Sequence, residues 1–210
     1  MSAALKREDA ARLERCVVAG GVAVFPSDTV YGVCCDPDDE RAARRLYALK
    51  GRSPRRASAI MFFSLEAALT ALDELSEGER VVLEGLLPGP VTLLLANRAQ
   101  LYPPACREDP GTLGLRVPRL PARLAALGHL RRPVMQSSAN LSGEPDARTV
   151  EQVPRSLREG ADLVLDGGEL PGVASTVIDM RDFEAEGRWH LLREGALGRQ
   201  ELESVLASLT

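Results

Sequence analysis

Three separated segments of this chain carry donors suited to holding an anion beside a small polar molecule. Phe25-Pro-Ser-Asp-Thr-Val-Tyr-Gly32 supplies the hydroxyls of Ser27, Thr29 and Tyr31. Lys50-Gly51-Arg52 supplies two cations, and Ser138-Ala139-Asn140 supplies a hydroxyl and an amide. Such groups neutralise and hydrogen-bond phosphate or carboxylate oxygens. Each segment also has a plainer reading. Ser27 and Asp28 can bond their own backbone in a turn. Lys50 and Arg52 can face the negative end of a helix dipole, for about 0.3–1 kcal/mol. Ser137-Ser138-Ala139-Asn140 can cap a helix or form a turn, and turn chemistry accounts adequately for Ser175 and Thr176. Arg116 is harder to explain blandly, because an arginine inside the apolar run Leu113-Gly-Leu-Arg-Val117 requires a partner or a sheet edge. Arg193, ending a later apolar stretch, poses a milder form of the same question.

The elements that must position these groups follow from periodicity. Ala10, Leu13, Cys16 and Val17 fall at helical spacing between Lys6 and Ala19, and Gly20-Gly21 stops that helix. Val22 to Phe25 reads as a strand that delivers the Ser27-Asp28-Thr29 loop. Asp38-Asp39 caps a helix running to about Lys50, burying Ala42, Leu46 and Leu49. Strands are expected at Ala59–Phe63, Val91–Leu95, Leu113–Val117, Val134–Ser137, Leu163–Leu165, Thr176–Ile178 and His190–Leu192. Helices are expected at Leu65–Leu72, Glu77–Leu87, Pro121–Leu127 and Gln200–Leu209. Interspersed strands and helices predict an α/β or α+β sheet with helices against it. No repeat or low-complexity linker divides the 210 residues, so a single domain over 1–210 is the simplest expectation.

Composition narrows the function classes. Hydrophobic residues make up 45%, charged residues 27%, and the formal net charge is −4. This is the profile of a globular chain rather than of a nucleic-acid binder relying on bulk positive charge. From Arg41 through Arg56, however, there are seven Lys/Arg and no Asp or Glu, with Arg41, Arg44 and Arg45 on the expected solvent side of their helix. Cys16, Cys34, Cys35 and Cys106 form no C-x-x-C pair and are accompanied by only two histidines, so buried free thiols in a reducing compartment are expected rather than a metal site. The charged N-terminal segment reads as helix rather than leader. No apolar run approaches the ~18 residues of a membrane span, and a cytoplasmic location is expected. The chain has no G-x-x-x-x-G-K-[ST] loop, no G-x-G-x-x-G after a strand and no G-x-S-x-G elbow. Any nucleotide must then be held by side-chain cations and hydroxyls.

Taken in order, seven segments resemble the YrdC-like family, the threonylcarbamoyl-AMP synthases. They are PSDTVYG at Pro26–Gly32, KGR at Lys50–Arg52, PGPVT at Pro88–Thr92, TLGLRVP at Thr112–Pro118, SSANLSGEP at Ser137–Pro145, STVID at Ser175–Asp179 and LLREG at Leu191–Gly195. The resemblance implies a YrdC-like twisted mixed sheet with flanking helices and a basic cavity on one side. It implies condensation of L-threonine, bicarbonate and ATP into threonylcarbamoyl-AMP with release of pyrophosphate. The product would serve an adenosine modification of tRNA, with a tRNA or tRNA-modifying transferase complex as downstream partner. By position, Thr29, Tyr31, Met61, Arg116, Ser138 and Ser175 would contact the amino-acid substrate. Lys50, Arg52, Arg56, Thr112, Asn140, Arg148 and Arg193 would hold ATP, and Lys50 and Arg52 would offset charge in catalysis. ATP enters as a substrate, with Mg2+ accompanying it and no tightly bound protein metal site.

This chain departs from the family pattern at Ser53-Pro54-Arg55-Arg56-Ala57-Ser58, where relatives commonly place proline after the K-x-R arginine and then an N-P-L-like run. Met61 stands where many relatives have a polar residue. The departures keep alive a paralogue with a different amino-acid or carbamoyl substrate. From another class, a non-catalytic RNA-binding module could use the Arg41–Arg56 patch, although eight aromatic residues offer few stacking platforms. The end of the chain at Thr210 also leads to the expectation that it lacks the additional C-terminal domain of longer relatives.

Overall fold

The computed structural model describes residues 4–51, 53 and 55–209. In chain order its elements are α1 (Arg7–Val18), β1 (Ala23–Pro26), β2 (Tyr31–Cys35), α2 (Glu40–Leu49), β3 (Ala59–Met61), α3 (Leu65–Ala71), α4 (Glu77–Leu86), β4 (Val91–Ala96), α5 (Pro103–Cys106), β5 (Thr112–Arg116), β6 (Val134–Ser138), α6 (Arg155–Gly160), β7 (Leu163–Val164), β8 (Thr176–Asp179), α7 (Phe183–Glu186), β9 (His190–Arg193) and α8 (Arg199–Leu209). The strands form one mixed sheet in the order β7-β1-β2-β6-β3-β5-β4-β8-β9. Only β1/β7, β3/β5 and β4/β8 pair in parallel among the described strands. No helix among the described residues is long and apolar enough to cross a membrane.

Local signals explain the helix ends. The Asp39 side chain accepts from the Arg41 and Ala42 N–H groups, satisfying donors that the first turn of α2 leaves open. Gly20 adopts φ 76° after α1, and Gly21 N–H returns to the Cys16 carbonyl. Ser76 and Glu79 form a reciprocal capping box on α4.

Two apolar clusters sandwich the sheet. One joins Ala42 and Leu46 of α2, Leu83 of α4 and Leu202 of α8 to Ile60, Leu93, Leu113 and Leu115 of the strands. The other joins Leu13 and Val17 of α1 to Phe25, Tyr31, Met61, Leu124 and Leu127. Alternation along β5 assigns its faces: Leu113 and Leu115 enter the first cluster, while Thr112, Gly114 and Arg116 point the other way. On β4, Leu93 and Leu95 face that same cluster and Thr92 and Leu94 face away.

Several elements differ from expectation: the short helices α5, α6 and α7 were not foreseen, and the strand expected to run to Phe63 ends at Met61. Tyr31–Cys35 is a strand that periodicity did not disclose, because it lies between β1 and β6 with every residue buried and so lacks polar alternation. Its Gly32 is required by packing, since a Cβ there would meet Phe25 Cε1 at 2.9 Å. The helix expected at Pro121–Leu127 is a 3-10 helix spanning Ala122–His129. Cys34, Cys35 and Cys106 are buried free thiols and Cys16 is half-buried. Burial, with Asp36 and Asp39 nearby, pushes the Cys35 thiol up to about 12.

Gly114 is the thin point between the parallel strands β3 and β5. A Cβ there would lie 3.3 Å from Ala59 Cα and 3.4 Å from Ala59 Cβ. Gly114→Val is therefore expected to destabilise the fold by about 1–3 kcal/mol through overpacking, read from the urea midpoint. An unchanged midpoint would show that β3 and β5 separate without cost.

Candidate functional site

The face of the sheet opposite the first apolar cluster holds a cavity of about 400 Å³. Its wall is made of alternate strand residues: Ala59 of β3, Thr92 and Leu94 of β4, Thr112, Gly114 and Arg116 of β5, Gln136 and Ser138 of β6, and Val177 of β8. Ser27, Val30, Ala57, Ser58, Asp109, Ser137, Asp146, Ala174, Ser175 and Arg193 complete the lining. Small side chains on the central strands leave the space, and polar side chains from both ends of the strands surround it.

Register gives this trough two ends. Met61 pairs with Arg116 across β3/β5, and Leu93 pairs with Leu115 across β5/β4, so Thr92 lies level with Arg116. Val91 pairs with Thr176 across β4/β8, which brings Ser175 to the same end. There Ser175 Oγ and Thr92 Oγ1 lie 2.8 Å apart. The opposite end carries Thr112 and Ser58. Gln136 sits across from Ala59 in antiparallel β6, so Ser138 runs out towards this second end.

Arg116 explains its own place in an apolar strand. Its Nη2 donates to Asp28 Oδ1 at 2.7 Å and to Thr29 Oγ1 at 3.2 Å. Both charged side chains are about 5% exposed or less. Burial pulls the guanidinium pKa down, against the opposing pull of Asp28, and burial pushes the Asp28 carboxyl up despite Arg116. Asp28 Oδ2 is occupied by the Arg119 N–H. Arg116 Nε is buried without a hydrogen-bond partner. A buried guanidinium donor without an acceptor is costly, so the Asp28 and Thr29 contacts must carry the placement of this side chain. Ser27 takes the plainer role: its hydroxyl donates to the Val30 carbonyl and sits 3.0 Å from Thr29 Oγ1.

Lys50 closes α2, with Gly51 at φ 56° turning the chain away. Its ε-ammonium is aimed at the Ser138–Asn140 loop, donating to the Ser138 carbonyl and, at 3.1 Å, to Asn140 Oδ1. Ser138 Oγ also donates to Asn140 Oδ1 at 2.6 Å. The side chain is thus 1% exposed and stands behind the trough, tying two sequence-distant segments together.

The other expected residues are placed unevenly. Arg193 lines the trough and donates to the Ser175 carbonyl at 2.8 Å, and Thr112 Oγ1 accepts from Arg181. Ser138, expected beside the amino acid, stands with Lys50 and Asn140; Arg193, expected beside the nucleotide, stands with Ser175. The two sets interdigitate along one short trough. Arg148 is exposed and bonded to Glu169, and Arg56 is exposed near the segment leading to Ser58. Arg52 lies outside the described residues. Tyr31 and Met61 are not brought into the lining. The Tyr31 hydroxyl donates to the Gly168 carbonyl at 2.9 Å and accepts from Gly167 N–H, deep in the second apolar cluster, where burial pushes its pKa up. Met61, fully buried, belongs to the same cluster.

Thr92, Gln136 and Asp28 are site residues that spacing did not single out. A polar residue inside an otherwise apolar strand, Thr92 in VTLLLA and Gln136 after Val-Met, was the available signal for the first two. Asp28 was legible only as a turn former, because its partner lies far along the chain.

The chain as a whole resembles known proteins. The chain is 30% identical over 191 residues to threonylcarbamoyl-AMP synthase of Pyrococcus abyssi, covering 90% of this chain and 55% of that one. It is 35% identical over 168 residues to threonylcarbamoyl-AMP synthase of Nitrosococcus oceani, covering 80% of this chain and 89% of that one. The structure of P. abyssi Sua5 complexed with L-threonine superposes with a TM-score of 0.82 at 29% identity, over 96% of this chain and 58% of that one. E. coli YciO shares the fold with a TM-score of 0.79 at 24% identity, over 94% and 93% of the two chains. The chain thus spans little more than half the length of its archaeal relative and most of its Nitrosococcus one. A family model named for Sua5, YciO and YrdC and described as telomere recombination matches residues 15–195, a span that takes in every segment lining the trough, and the chain belongs to that family.

Proposed function

We propose that this chain condenses L-threonine, bicarbonate and ATP into threonylcarbamoyl-AMP, releasing pyrophosphate, and that the product feeds threonylcarbamoyladenosine modification of tRNA. The observation that carries the reading is the convergence of Asp28–Thr29, Lys50, Thr112–Arg116, Ser138–Asn140, Ser175 and Arg193 around one trough with a buried arginine at one end. The unbroken nine-stranded sheet supports treating 1–210 as one working domain.

The chemistry accounts for the donors. Bicarbonate takes up a proton and loses water to give CO2; the neutral threonine amine bonds to its carbon as one C–O π pair moves onto oxygen, and the nitrogen then releases a proton to leave a carbamate. A carbamate oxygen then bonds to the α-phosphorus of ATP while the bond from that phosphorus to the bridging oxygen breaks, its electron pair leaving with pyrophosphate. Attacker, nucleotide and leaving group are all anionic, so fixed positive charge lowers the barrier. Arg116 receives the amino-acid carboxylate through its remaining donor edge, and Ser175 and Thr92 border that carboxylate. Lys50 holds the Ser138–Asn140 loop and adds positive charge at the second end. Arg52, Arg56, Arg148 and Arg193 are assigned to the phosphates on sequence position, Arg193 having to exchange its bond to Ser175 for one to the nucleotide. Mg2+ is taken as arriving with ATP, whose phosphates it would accompany.

Incubating the pure protein with L-threonine, bicarbonate and MgATP is expected to give a threonylcarbamoyl adenylate by mass spectrometry. Pyrophosphate release that is indifferent to threonine, or faster with another acid, would favour a paralogue with a different substrate. The RNA-module reading is weakened by ion pairs on the basic run: Arg44 with Glu40, and Arg45 with Asp162 at 2.6 Å.

Ser175→Ala is expected to raise the threonine KM about tenfold while moving the ATP KM less, because a single hydrogen bond at the Arg116 end is lost. Equal shifts in both constants would contradict that placement.

A further inference from the structure

We infer that Arg181 is a positioning residue for the nucleotide, fixing the Thr112 hydroxyl as a donor into the trough. The inference rests on the proposed use of ATP and on Thr112 meeting it. Arg181 itself belongs to none of the seven segments that carry the family resemblance.

Register brings the two residues together on the trough face. Thr112 lines the cavity, as do Leu94 of β4 and Val177 of β8. Leu94 pairs directly with Asp179, two residues beyond Val177, so the Asp179 side chain emerges on that same face. Two residues further along β4, Ala96 pairs with Thr112. The residue two beyond Asp179, which is Arg181, therefore comes level with Thr112 across the end of β4.

The guanidinium is held in one orientation. Asp179 Oδ1 accepts from Arg181 Nε at 2.9 Å and Asp179 Oδ2 accepts from Nη2 at 2.6 Å, a two-pronged grip that fixes the plane of the fork. Asp179 Oδ1 also accepts from the Arg181 N–H at 3.1 Å, which fixes the backbone behind it. The remaining nitrogen, Nη1, donates to Thr112 Oγ1 at 3.2 Å. A guanidinium accepts nothing, so the direction of this bond is not open: Thr112 is the acceptor. Its hydroxyl keeps its own hydrogen, and accepting from a cation makes it a stronger donor in turn. The Thr112 N–H is already committed to the Asp109 carbonyl, so the hydroxyl is what this residue can offer a nucleotide acceptor. Asp109 Oδ2 also lies 3.8 Å from Arg181 Nη1, but both side chains are well exposed and that pairing adds little. The bond to Thr112 is the one that reaches the trough wall.

The test is MgATP binding by calorimetry without threonine, followed by steady-state kinetics, on wild type, Thr112→Val, Arg181→Met and the double variant. Thr112→Val is expected to weaken MgATP binding about tenfold and Arg181→Met about fivefold. In both, the ATP KM should rise while the threonine KM moves less than about twofold, a split that general loosening of the fold would not give. The double variant is expected to match Thr112→Val alone, since Arg181 acts only through that hydroxyl. Thermal melts identify any variant that fails to fold. Arg181→Lys keeps the charge but cannot grip Asp179 and reach Thr112 together, so it is expected to lose MgATP affinity as far as Arg181→Met does. Multiplicative losses in the double variant would show Arg181 acting by its own charge and overturn the route through Thr112. Unchanged MgATP affinity in folded Arg181→Met or Arg181→Lys, or equal rises in both KM values, would overturn the positioning role. A wild-type protein that binds no MgATP would instead remove the proposed use of ATP, and the nucleotide contact with it.

Discussion

Arg116→Met is expected to cost the fold about 3–5 kcal/mol, because it strands the buried Asp28 carboxylate without its cation. Asp28→Asn introduced into that variant is expected to restore most of the loss, since the amide keeps an acceptor for the Arg119 N–H without the charge. Neither form should recover amino-acid binding: the threonine KM is expected to rise at least ~30-fold, matching the loss of a buried charge-assisted contact. The pH dependence has a definite sign. Burial already raises the Asp28 carboxyl above 3.8, and Arg116 is the largest influence pulling it back down. Removing Arg116 raises it further. A carboxyl raised on folding contributes fully below its unfolded pKa and loses that contribution as pH climbs through its folded value. The variant's deficit should therefore be largest near neutrality and shrink towards pH 4. Urea midpoints at several pH values measure it, and a deficit that grows in acid would show that Asp28 is not the stranded group.

Lys50→Met is expected to lower the rate of pyrophosphate release at least ~10²-fold, the scale of losing one charge-stabilising donor. Methionine retains the length of the apolar stem, so the end of α2 should survive the change. Two effects add. Positive charge is lost near the Thr112 end, and the Ser138–Asn140 loop loses the ammonium that gathers the Ser138 carbonyl and Asn140 Oδ1. Single-turnover measurement at saturating ATP isolates the chemical step. A folded Lys50→Met protein that releases pyrophosphate within tenfold of wild type would confine Lys50 to holding the loop.

The same residue shows why helix-end cations are ambiguous in a sequence. At the end of α2 a lysine satisfies the helix dipole wherever its ammonium points. Only the return of Ser138–Asn140 on β6, beside β2, gives that ammonium a specific destination. Arg116 was legible as an anomaly, because a guanidinium among leucines and valine demands compensation. Its partner was not legible, since Asp28 reads as an ordinary turn residue and the two meet only through the sheet. Tyr31 illustrates the opposite case. Its hydroxyl is as conspicuous in the motif as that of Thr29, yet strand alternation turns it into the core, where it ties β2 to the Gly167–Gly168 turn.

Composition, periodicity and the ordered motifs were sufficient for the α/β class, most helices and strands, and the family. Those depend on local spacing and on residue types, which the chain states directly. The two-ended trough, the Asp28–Arg116 pair and the Arg181–Thr112 contact came only from tertiary structure. Each requires knowing which strands are neighbours and in what register, and no local pattern encodes that: a shift of one residue along β3 would turn Ala59 out of the wall and a side chain of the first apolar cluster into it.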